Sequence, residues 1–544
     1  MSALALSELL LVVTCVLAAS ELISLQPPAA QRVPWIRRVQ SNDEVVDYYN
    51  WLRNETETRS YRYIEEENEF AVAAMNHTHA LQAKIAREML ERRPLAPGNL
   101  TFFDFGSYRY FKQIPAGRAF AAFTRQPLSG GAEQLLLDLN ALAKHLHASS
   151  PAALAMGVFE VSPDERKLAF SVSSASPPRF DLFIRDLQSG SLLRTNLSTA
   201  ATTAKGGDAS DTLRWAGNRH VFFTVPDVLG LPRSVFRWAI DSPASSASLV
   251  YRPDDPGPSR VVSVSTTNDG AFLVVDTSSN VDNWPLLLDS ANPLSELRPL
   301  LSQPQAPPLP LTRFQVEHHG SFFYVRTNAL GNCSNFAVLR VAATHWPLLQ
   351  PLPPLSQWQV VLPCSRERWI DLIEVFERHL VAWTWRVRDG LRQLLLIDLE
   401  LELDDLKGAK KKQHADAAGA RDLALPLSTI PLPGDWTRDA VFSCLPGTVD
   451  SLQSRRHRAF HSSTFVFTMR DALHSAAAFE FDMTSKPQAA RQIASEAPAA
   501  NYDAPLYSQA RLFASAEDGT RLPMTLVYRT RKLARGDGGN PVLM

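Results

Sequence analysis

The sequence has little cysteine, with four residues in 544, at Cys15, Cys333, Cys364 and Cys444. These cysteines form no Cys-x-x-Cys pair and no Cys/His spacing, and a disulfide scaffold or a zinc site would need denser clustering. We therefore predict reduced thiols scattered through a large core. The sequence indicates no metal, and it neither indicates nor requires calcium or any other cofactor.

The chain also lacks an excess of charge of either sign. It has 55 Lys and Arg against 56 Asp and Glu, for a net charge of −1. A protein without a strong overall field does not attract nucleic acid or anionic lipid over its whole surface. We therefore predict no nucleic-acid partner and no stable membrane association.

No hydrophobic run is long enough to cross a bilayer. Leu9 to Ala19 is apolar or nearly so and has the length of a signal-peptide core. However, no Lys or Arg precedes it, and Glu8 stands where positive charge is usual. Asn-x-Ser/Thr triplets, which arise often by chance, start at Asn54, Asn76, Asn99, Asn196 and Asn332. We predict a cytoplasmic protein and keep the secretory pathway as the alternative.

The motifs of self-contained catalysis are missing as well. A Gly-x-Ser-x-Gly elbow, a P-loop, a dinucleotide-binding glycine motif and a His-Glu-x-x-His motif are all absent. The one Gly-x-Ser triplet starts at Gly257, and no second glycine follows it to close the turn. We therefore predict no catalytic, cofactor-binding or metal-binding residue within this chain.

Three clusters of polar residues are better explained by structure than by chemistry. His318 and His319 point to opposite faces if the backbone is extended, so they do not easily share a metal, and we predict that they lie in a surface turn. Glu65 to Glu67 and Asp404-Asp405 have no partner acid or metal spacing, so we predict solvated faces for both.

The N-terminal part has a helical composition. Residues 41–93 are rich in Glu, Ala, Leu and Arg, and the stretch 54–93 contains no Gly or Pro. An apolar stripe runs along it, with a slip in spacing near Asn76, so either two helices or one bent helix is expected. Its members are Ile64, Phe70, Met75, Leu81, Ile85 and Met89. Pro94 to Gly98 ends the helical region.

From about residue 101 to 505 the pattern is different. Short segments rich in aromatic and β-branched residues, such as YRYFKQI, LAFSVSS, HVFFTVP, FFYVRTN and LVAWTWRV, alternate with turn sequences such as SPDE, AGNR and NDGA. They recur with a loose period of fifty to seventy residues, which is typical of β-propeller blades. Several β-sandwich domains in series are the alternative, although no linker cleanly divides the region.

Three segments in this region are predicted to be insertions or mobile loops. Gln303 to Pro310 and Pro347 to Pro354 are Pro-rich and are predicted to be extended. Leu406 to Arg421, which includes Lys410 to Lys412, is predicted to be a surface loop.

The C-terminal residues indicate the start of another domain. Two alternating strands within 511–529 flank Glu517 to Thr520, a good hairpin turn. Asn540-Pro541 then leads into Val542 to Met544, which has the character of a buried strand. We expect that the chain stops within an element.

Taken in order, several motifs resemble the prolyl oligopeptidase family of serine peptidases, and the oligopeptidase B branch in particular. The matching stretches are YYNWLR from Tyr48, YIEEEN from Tyr63, VSPD from Val161, YVRTN from Tyr324 with the following Asn335-Phe336, AEDGTRLPMTLVYR from Ala516, and NPVL from Asn540. The resemblance covers roughly residues 33 to 544. The N-terminal apolar run and the Pro-rich insertions depart from the family pattern.

The resemblance implies a mainly β fold, with a seven-bladed β-propeller that caps an α/β-hydrolase domain and restricts entry to short peptides. It implies an N-terminal extension at 1–32, a helical segment at 33–100 that packs on the hydrolase, the propeller at 101–505, and the first hydrolase strands at 506–544. In the family branch the enzyme cleaves after Lys or Arg. The nucleophilic serine, the aspartate and the histidine, and most acidic residues that recognise basic side chains, are expected beyond this chain. Apolar surface is therefore expected to be exposed at 55–93 and 511–529.

Two other readings remain open. One is a non-catalytic propeller that binds other proteins, and the other is an unrelated extracellular β-protein. The sequence does not reveal whether Met544 is the natural end, nor does it give the substrate length or the oligomeric state.

Overall fold

The computed structural model describes most of the chain, with gaps. The described residues are 26–38, 44–53, 57–92, 102–115, 117–146, 154–173, 180–199, 212–227, 230–253, 260–301, 311–331, 334–343, 352–399, 425–431, 460–469, 471, 473–484, 490–495 and 502–530. The chain divides into two compact units. The first comprises Met1–Arg93 with Ala499–Asn501, and the second comprises Pro94–Pro498 with Tyr502–Met544.

The first unit contains a two-stranded sheet and a helical pair. Its elements are β1 (Trp35–Arg38), β2 (Glu44–Asp47), a 3₁₀ turn (Asn50–Arg53), α1 (Thr58–Met75), a 3₁₀ turn (Asn76–Thr78) and α2 (His79–Glu91). The helical prediction is confirmed for α1 and α2, and the break falls where the apolar spacing slips. The prediction was wrong at β2, where Val45 and Val46 pair with β1 in an antiparallel ladder because β-branched residues favour strands.

Trp51 anchors the loop that precedes α1. Its side chain is 8% exposed, and its indole Nε1 donates to the Gln31 carbonyl over 2.8 Å. The Arg59 guanidinium stacks 4.5 Å from the ring, and the Ser60 hydroxyl donates to the Trp51 carbonyl. By contrast, the apolar stripe of α1 and α2 faces solvent, as shown by exposures of 49% for Ile64, 50% for Met75, 56% for Leu81, 46% for Ile85 and 65% for Met89. The predicted exposure is confirmed for this segment.

The second unit is built from seven antiparallel sheets, each formed by consecutive strands. The first three sheets are β3 (Phe102–Phe105), β4 (Tyr108–Gln113), β5 (Ala122–Pro127) and β6 (Gln134–Asp138); β7 (Ala155–Val161), β8 (Lys167–Ser173), β9 (Phe180–Asp186) and β10 (Leu192–Thr199); β11 (Leu213–Ala216), β12 (His220–Pro226), β13 (Pro232–Ala239) and β14 (Ser248–Tyr251). A short helix, α3 (Leu139–His145), follows β6. It was not predicted, and it starts at Asp138, whose carboxylate caps the Asn140 amide.

The remaining sheets continue the series. They are β15 (Val261–Thr266), β16 (Phe272–Ser278), β17 (Asn283–Asp289) and β18 (Arg298–Pro299); β19 (Phe314–His319), β20 (Phe322–Thr327), β21 (Ala337–Ala342) and β22 (Gln359–Leu362); β23 (Arg368–Val375), β24 (His379–Arg386), β25 (Leu391–Asp398) and β26 (Leu427–Thr429); β27 (Thr464–Met469), β28 (Ala477–Asp482) and β29 (Arg491–Ser495). Short 3₁₀ turns lie at Ala244–Ser246, Leu355–Gln357 and Ala504–Leu506. This series confirms the predicted seven-bladed β-propeller.

Apolar clusters bind successive sheets to one another. Tyr110 and Phe123 of the first sheet pack with Phe159 and Phe170 of the second, and equivalent clusters follow around the series to the sixth and seventh sheets. Burying one such aromatic ring stabilises the fold by about 1.5–3 kcal/mol. Since each sheet buries both of its faces against its neighbours, the strand sequences carry apolar residues on both faces.

The first and seventh sheets also meet through charge. Arg109 on β4 donates to both oxygens of Asp104. The hydrogen bond to Asp104 is the main reason that the pKa of Arg109 is raised, and the carboxylate of Glu480 on β28 acts in the same direction.

A hairpin, β30 (Tyr507–Ser515) and β31 (Arg521–Arg529), follows the seventh sheet. Its turn is the predicted one, with Gly519 at φ 82°, a conformation that glycine adopts without strain. Arg511 donates to the Asp389 carbonyl over 3.0 Å, which places the hairpin against the turn between β24 and β25. Leu512, Leu522 and Met524 are 45–48% exposed, so the predicted apolar exposure is confirmed here as well.

The two ends of the ring are distinguished by this hairpin. We call the end that carries the turns between second and third strands, including Asp389, the hairpin end. Because the strands are antiparallel, the turns between first and second strands lie at the other end, which we call the far end. Gly106, Gly217 and Gly270 occupy far-end turns with positive φ.

Several predictions fall on other parts of the chain or need correction. Leu9–Ala19, Gln303–Pro310, Leu406–Arg421 and residues 540–544 lie outside the described residues, as does most of Pro347–Pro354. Cys364 is disulfide-bonded, so the prediction of reduced thiols was wrong for this residue. Its partner lies outside the described residues.

Candidate functional site

A cavity of about 490 Å³ opens at the far end of the ring. The far-end turns of the first four sheets line it, together with residues 460–462 ahead of β27. Aromatic side chains and charged groups alternate around it, among them Phe105, Glu160, Arg214, Trp215 and Asp269. The cavity can therefore accommodate a partly apolar, partly polar ligand.

Charged residues occupy the same position near the end of most first strands. Five residues of first strands pair with the third residue of the second strand: Glu160, Arg214, Ser265, Glu317 and Glu374. Asp104 pairs with the second residue of β4. All except Ser265 are charged, and apolar residues flank most of them in the sequence. The sequence analysis missed this ring, although the repeated apolar–charged–apolar pattern before each far-end turn was a usable signal.

Glu160 and Arg214 form a buried ion pair between the second and third sheets. Their side chains are 2% and 6% exposed, and Nη1 of Arg214 lies 2.9 Å from Oε1 of Glu160. The same Arg214 nitrogen donates to the Leu213 carbonyl, and the Trp215 indole donates to the Glu160 carbonyl. Buried charges are tolerated when they are paired and hydrogen-bonded in this way.

His318 and His319 lie at the end of β19, and they are buried, not on a surface turn as predicted. Each is 9% exposed. Nδ1 of His318 lies 2.6 Å from Oδ2 of Asp269 in the fourth sheet, whereas Nε2 of His319 lies 2.6 Å from the Glu377 carbonyl in the sixth. The prediction that they point to opposite faces is confirmed. Neighbouring sheets bury them, and the local sequence pattern does not reveal this burial.

The carboxyl group of Asp269 keeps its charge in this setting. Burial raises its pKa, but the hydrogen bond and charge of His318, with further hydrogen bonds from Thr267 and the Ala271 amide, outweigh that effect. The pKa of Asp269 therefore lies below its ordinary value. At neutral pH this carboxylate is an anion that joins the fourth and fifth sheets.

Asn268 ties the far end together over a longer range. Its side-chain amide donates to the Val375 carbonyl of the sixth sheet over 2.7 Å, while its backbone amide donates to Glu317 of the fifth. Gln315 exchanges two hydrogen bonds with the backbone of Ile373. These bonds fix the inner strands of three successive sheets relative to one another.

This site can bind a ligand. Two of its described histidines are held by other groups, His318 by the Asp269 carboxylate and His319 by the Glu377 carbonyl. A hydrolase needs a hydroxyl or thiol nucleophile on such a base. Across the described ranges, no group of three His, Cys, Asp or Glu residues could hold a metal ion. In the same part of the chain, no helix is long and apolar enough to cross a membrane.

Of the other polar clusters from the sequence, the structure describes one. Glu65 to Glu67 lie on α1, where Glu66 pairs with Arg62 over 3.0 Å on an exposed face. The solvated face predicted there is confirmed. Gly257 to Ser259 and Asp404-Asp405 lie outside the described residues.

Curated relatives of this chain are peptidases. The chain is 26% identical over 535 residues to the uncharacterised peptidase y4qF of Sinorhizobium fredii, covering 96% of this chain and 61% of the relative. It is 23% identical over 516 residues to Protease 2 of Moraxella lacunata, covering 94% and 64%. The chain thus spans less than two thirds of the length of these relatives.

Solved structures share the fold. Oligopeptidase B from Leishmania major superposes with a TM-score of 0.69 at 17% identity, over 93% of this chain and 66% of that one. Oligopeptidase B from Trypanosoma brucei gives 0.67 at 19% identity, over 93% and 65%. The sequence profile of the prolyl oligopeptidase N-terminal β-propeller domain matches residues 28–423. The chain therefore belongs to the prolyl oligopeptidase family, of which it forms the N-terminal propeller portion.

Proposed function

We propose that this chain is the substrate-filtering portion of a serine-type oligopeptidase that cleaves short peptides after Lys or Arg. The hydrolytic step belongs to a longer protein, with a serine, an aspartate and a histidine that this chain does not supply. The observation that carries the proposal is the seven-sheet ring of the prolyl oligopeptidase family. Cleavage after basic residues rests on the likeness to proteins named oligopeptidase B.

The proposed filter is a physical one. Inner strands that are cross-linked by side chains, as Asn268 is to Val375 and Gln315 to Ile373, resist being pushed apart. On this proposal the ring rejects a folded protein and passes a short extended peptide. The ring would then admit substrates by size and leave the choice of the scissile bond to the hydrolase.

The exposed apolar surfaces support a missing partner domain. Two apolar surfaces are exposed. One is the stripe on α1 and α2, where Leu81 and Met89 are more than half exposed, and the other is the hairpin face that carries Leu512 and Met524. Apolar surfaces of this kind are unusual where a protein meets water. We propose residues 506–544 as the start of an α/β-hydrolase domain and the helical segment 33–100 as a second surface that packs on it.

A non-catalytic binding platform is the second candidate. The far-end cavity of about 490 Å³, with Phe105 and Trp215 beside charged groups, favours it, because such a pocket can hold a ligand without any chemistry. On this reading the chain would bind peptides or proteins and hydrolyse nothing.

The compartment is also a proposal. The cytoplasmic assignment conflicts with the disulfide at Cys364, because disulfides persist mainly in oxidising compartments. This bond favours the secretory alternative, in which Leu9 to Ala19 serves as the signal-peptide core. N-terminal sequencing of the mature protein tests it, since cleavage after this run supports secretion and an intact Met1 contradicts it.

The activity test compares the longest product of the gene with this chain alone. Both are assayed on matched fluorogenic dipeptides that end in Arg, Lys, Pro or Ala. The proposal expects hydrolysis by the longer protein, with kcat/KM for Arg and Lys at least tenfold above the others, and none by this chain. A longer protein that prefers Pro refutes the specificity, and one that is inactive on all four supports the binding platform.

A further inference from the structure

Arg326 is a buried cation in the wall between the fifth and sixth sheets. It lies near the end of β20 and is 9% exposed. Its Nε donates to the Ile370 carbonyl over 2.8 Å, and its guanidinium carbon lies 3.5 Å from the centre of the Phe336 ring. These contacts hold the planar group in one orientation and use only one of its five N–H donors.

Arg326 has no ion-pair partner among the residues that the structure describes. Burial lowers its pKa to about 10, an effect that the Asp371 carboxylate opposes and the Arg313 cation reinforces. Since that value is far above 7, the side chain remains charged at neutral pH. Asp371 itself forms an ion pair with Arg392 over 3.0 Å.

Arg368 is a half-buried cation at the same boundary. It starts β23, two residues before the Ile370 that accepts from Arg326, and its Nη2 donates to the Pro363 carbonyl over 3.2 Å. Burial lowers its pKa too. Across the ladder it faces Arg386, another cation, and like charges in directly opposed positions are unfavourable. Within the described ranges, no carboxylate forms an ion pair with Arg368.

Of the two aromatic rings beside Arg326, Phe336 is buried and Trp369 meets solvent. Phe336 lies between Arg326 and Trp369, and the two ring centres are 5.1 Å apart with the rings edge to face. Phe336 has φ 68°, a strained conformation for a bulky residue that persists where the surroundings enforce it. Trp369 is 38% exposed. The stack thus meets solvent through Trp369 at the hairpin end, where Arg368 and Trp369 begin their strand.

An unpaired buried cation is expensive unless an anion completes it. A carboxylate is the anion that a planar guanidinium binds best, through two parallel hydrogen bonds. We propose that Arg326 and Arg368 form a receptor for a peptide carboxylate, either a C-terminal carboxylate or an Asp or Glu side chain. That the ligand is a peptide rests on the proposed function, whereas the carboxylate chemistry does not.

The test measures binding to this full chain, without hydrolysis. The probes are three N-acetylated tripeptides: one with a free C-terminal carboxylate, its C-terminal amide, and an amide with a central Glu. Calorimetric titration gives each Kd, and Trp369 offers a fluorescence signal. We expect the free acid, the Glu amide or both to bind at least tenfold more tightly than the plain amide. Which of them does so identifies the source of the carboxylate.

Two variants assign that difference to Arg326. Arg326→Gln is expected to weaken binding of the preferred probe by about 10- to 100-fold, since a charge-assisted hydrogen bond is lost, and to leave the amide unchanged. Arg326→Lys keeps the charge without the planar fork and should fall between. Arg340→Gln is the matched control, because Arg340 is also buried, in the same sheet, and stacked on Phe322, but bonds Gln359.

The outcomes separate this proposal from the proposed function. Equal binding of acid and amide, or equal weakening by Arg326→Gln and Arg340→Gln, overturns the receptor and leaves the peptidase assignment untouched. Selective loss with Arg326→Gln supports the receptor even if the longer protein hydrolyses nothing. If Arg326→Gln fails to fold, the Arg326→Lys variant decides by the same comparison.

Discussion

The Glu160–Arg214 pair gives the sharpest test of how the far end is held. We expect that removing either partner alone destabilises the propeller strongly, while removing both costs much less. Glu160→Gln leaves Arg214 charged and 6% exposed, and Arg214→Met leaves Glu160 charged and 2% exposed. Each single variant therefore leaves one charge in a nearly dry site without the counter-charge of this pair.

The magnitude follows from that burial. Breaking a buried pair by deleting one partner costs about 3–5 kcal/mol, because the other charge loses this counter-charge in a site that excludes water. The double variant removes both charges of the pair, and the hydrogen bonds that it loses from Arg214 to Glu160 and to the Leu213 carbonyl are worth about 1–3 kcal/mol. The coupling energy of the pair is then at least about 3 kcal/mol.

The assay is equilibrium urea unfolding followed by tryptophan fluorescence. Trp215 reports locally, since its indole bonds the Glu160 carbonyl over 3.1 Å. Midpoints are compared at equal slope, so that a shift reflects stability. The control is Arg219→Met, which removes an ion pair to Asp241 whose side chains are 65% and 52% exposed, and it should cost under about 1 kcal/mol. If the double variant loses as much unfolding free energy as the two single variants together, the reasoning is refuted.

Three further predictions concern other sites. Gly106→Ala should lower the melting temperature, because Gly106 has φ 56° and a new Cβ would lie 1.6 Å from the Glu165 carboxylate. Adding Glu165→Ala should recover part of the loss. A double variant that is no more stable than Gly106→Ala alone would contradict the clash. Burial raises the pKa of Tyr110 to about 12, against the opposing Arg125 cation. Because the phenol ionises near 10 in the unfolded chain, the protein should lose about 2 kcal/mol of stability as pH rises from 10 to 12. Tyr110→Phe should flatten that part of the stability curve, and an unchanged curve would refute this. Finally, the Cys364 peptide should resist alkylation under denaturing conditions until reductant is added, and labelling without reductant would show a free thiol.

Second and third strands of the sheets were predictable from sequence, whereas several outer strands were not. β8, β12, β20 and β24 are dense in aromatic and β-branched residues that fill both faces, so a short pattern suffices to find them. β18 has two residues and β26 has three, and such edges gain their strand character from the neighbouring strand rather than from their own composition. The number of sheets came from the family resemblance, not from the degenerate repeat.

The site was less predictable, because its contacts join distant residues. His318 reaches Asp269, 49 residues earlier, and Asn268 reaches Val375, 107 residues later. Local composition made the two histidines look like a surface turn, since nothing in the neighbouring sequence shows which sheet covers them. Likewise, the sequence of the strand that contains Arg326 is ordinary. That Arg326 has no ion-pair partner among the described residues is visible only once the sixth sheet is in place.

The central claim is that this propeller works as part of a serine peptidase. The most direct measurement labels native extract from the source cells with a fluorophosphonate probe, which reacts with activated serines, and identifies captured proteins by their tryptic peptides. The account predicts that peptides from the propeller strands, for instance from residues 220–237, are captured on a polypeptide longer than 544 residues. If such peptides are abundant in the extract but absent from the captured fraction, the propeller is not joined to an active serine hydrolase, and the account is contradicted.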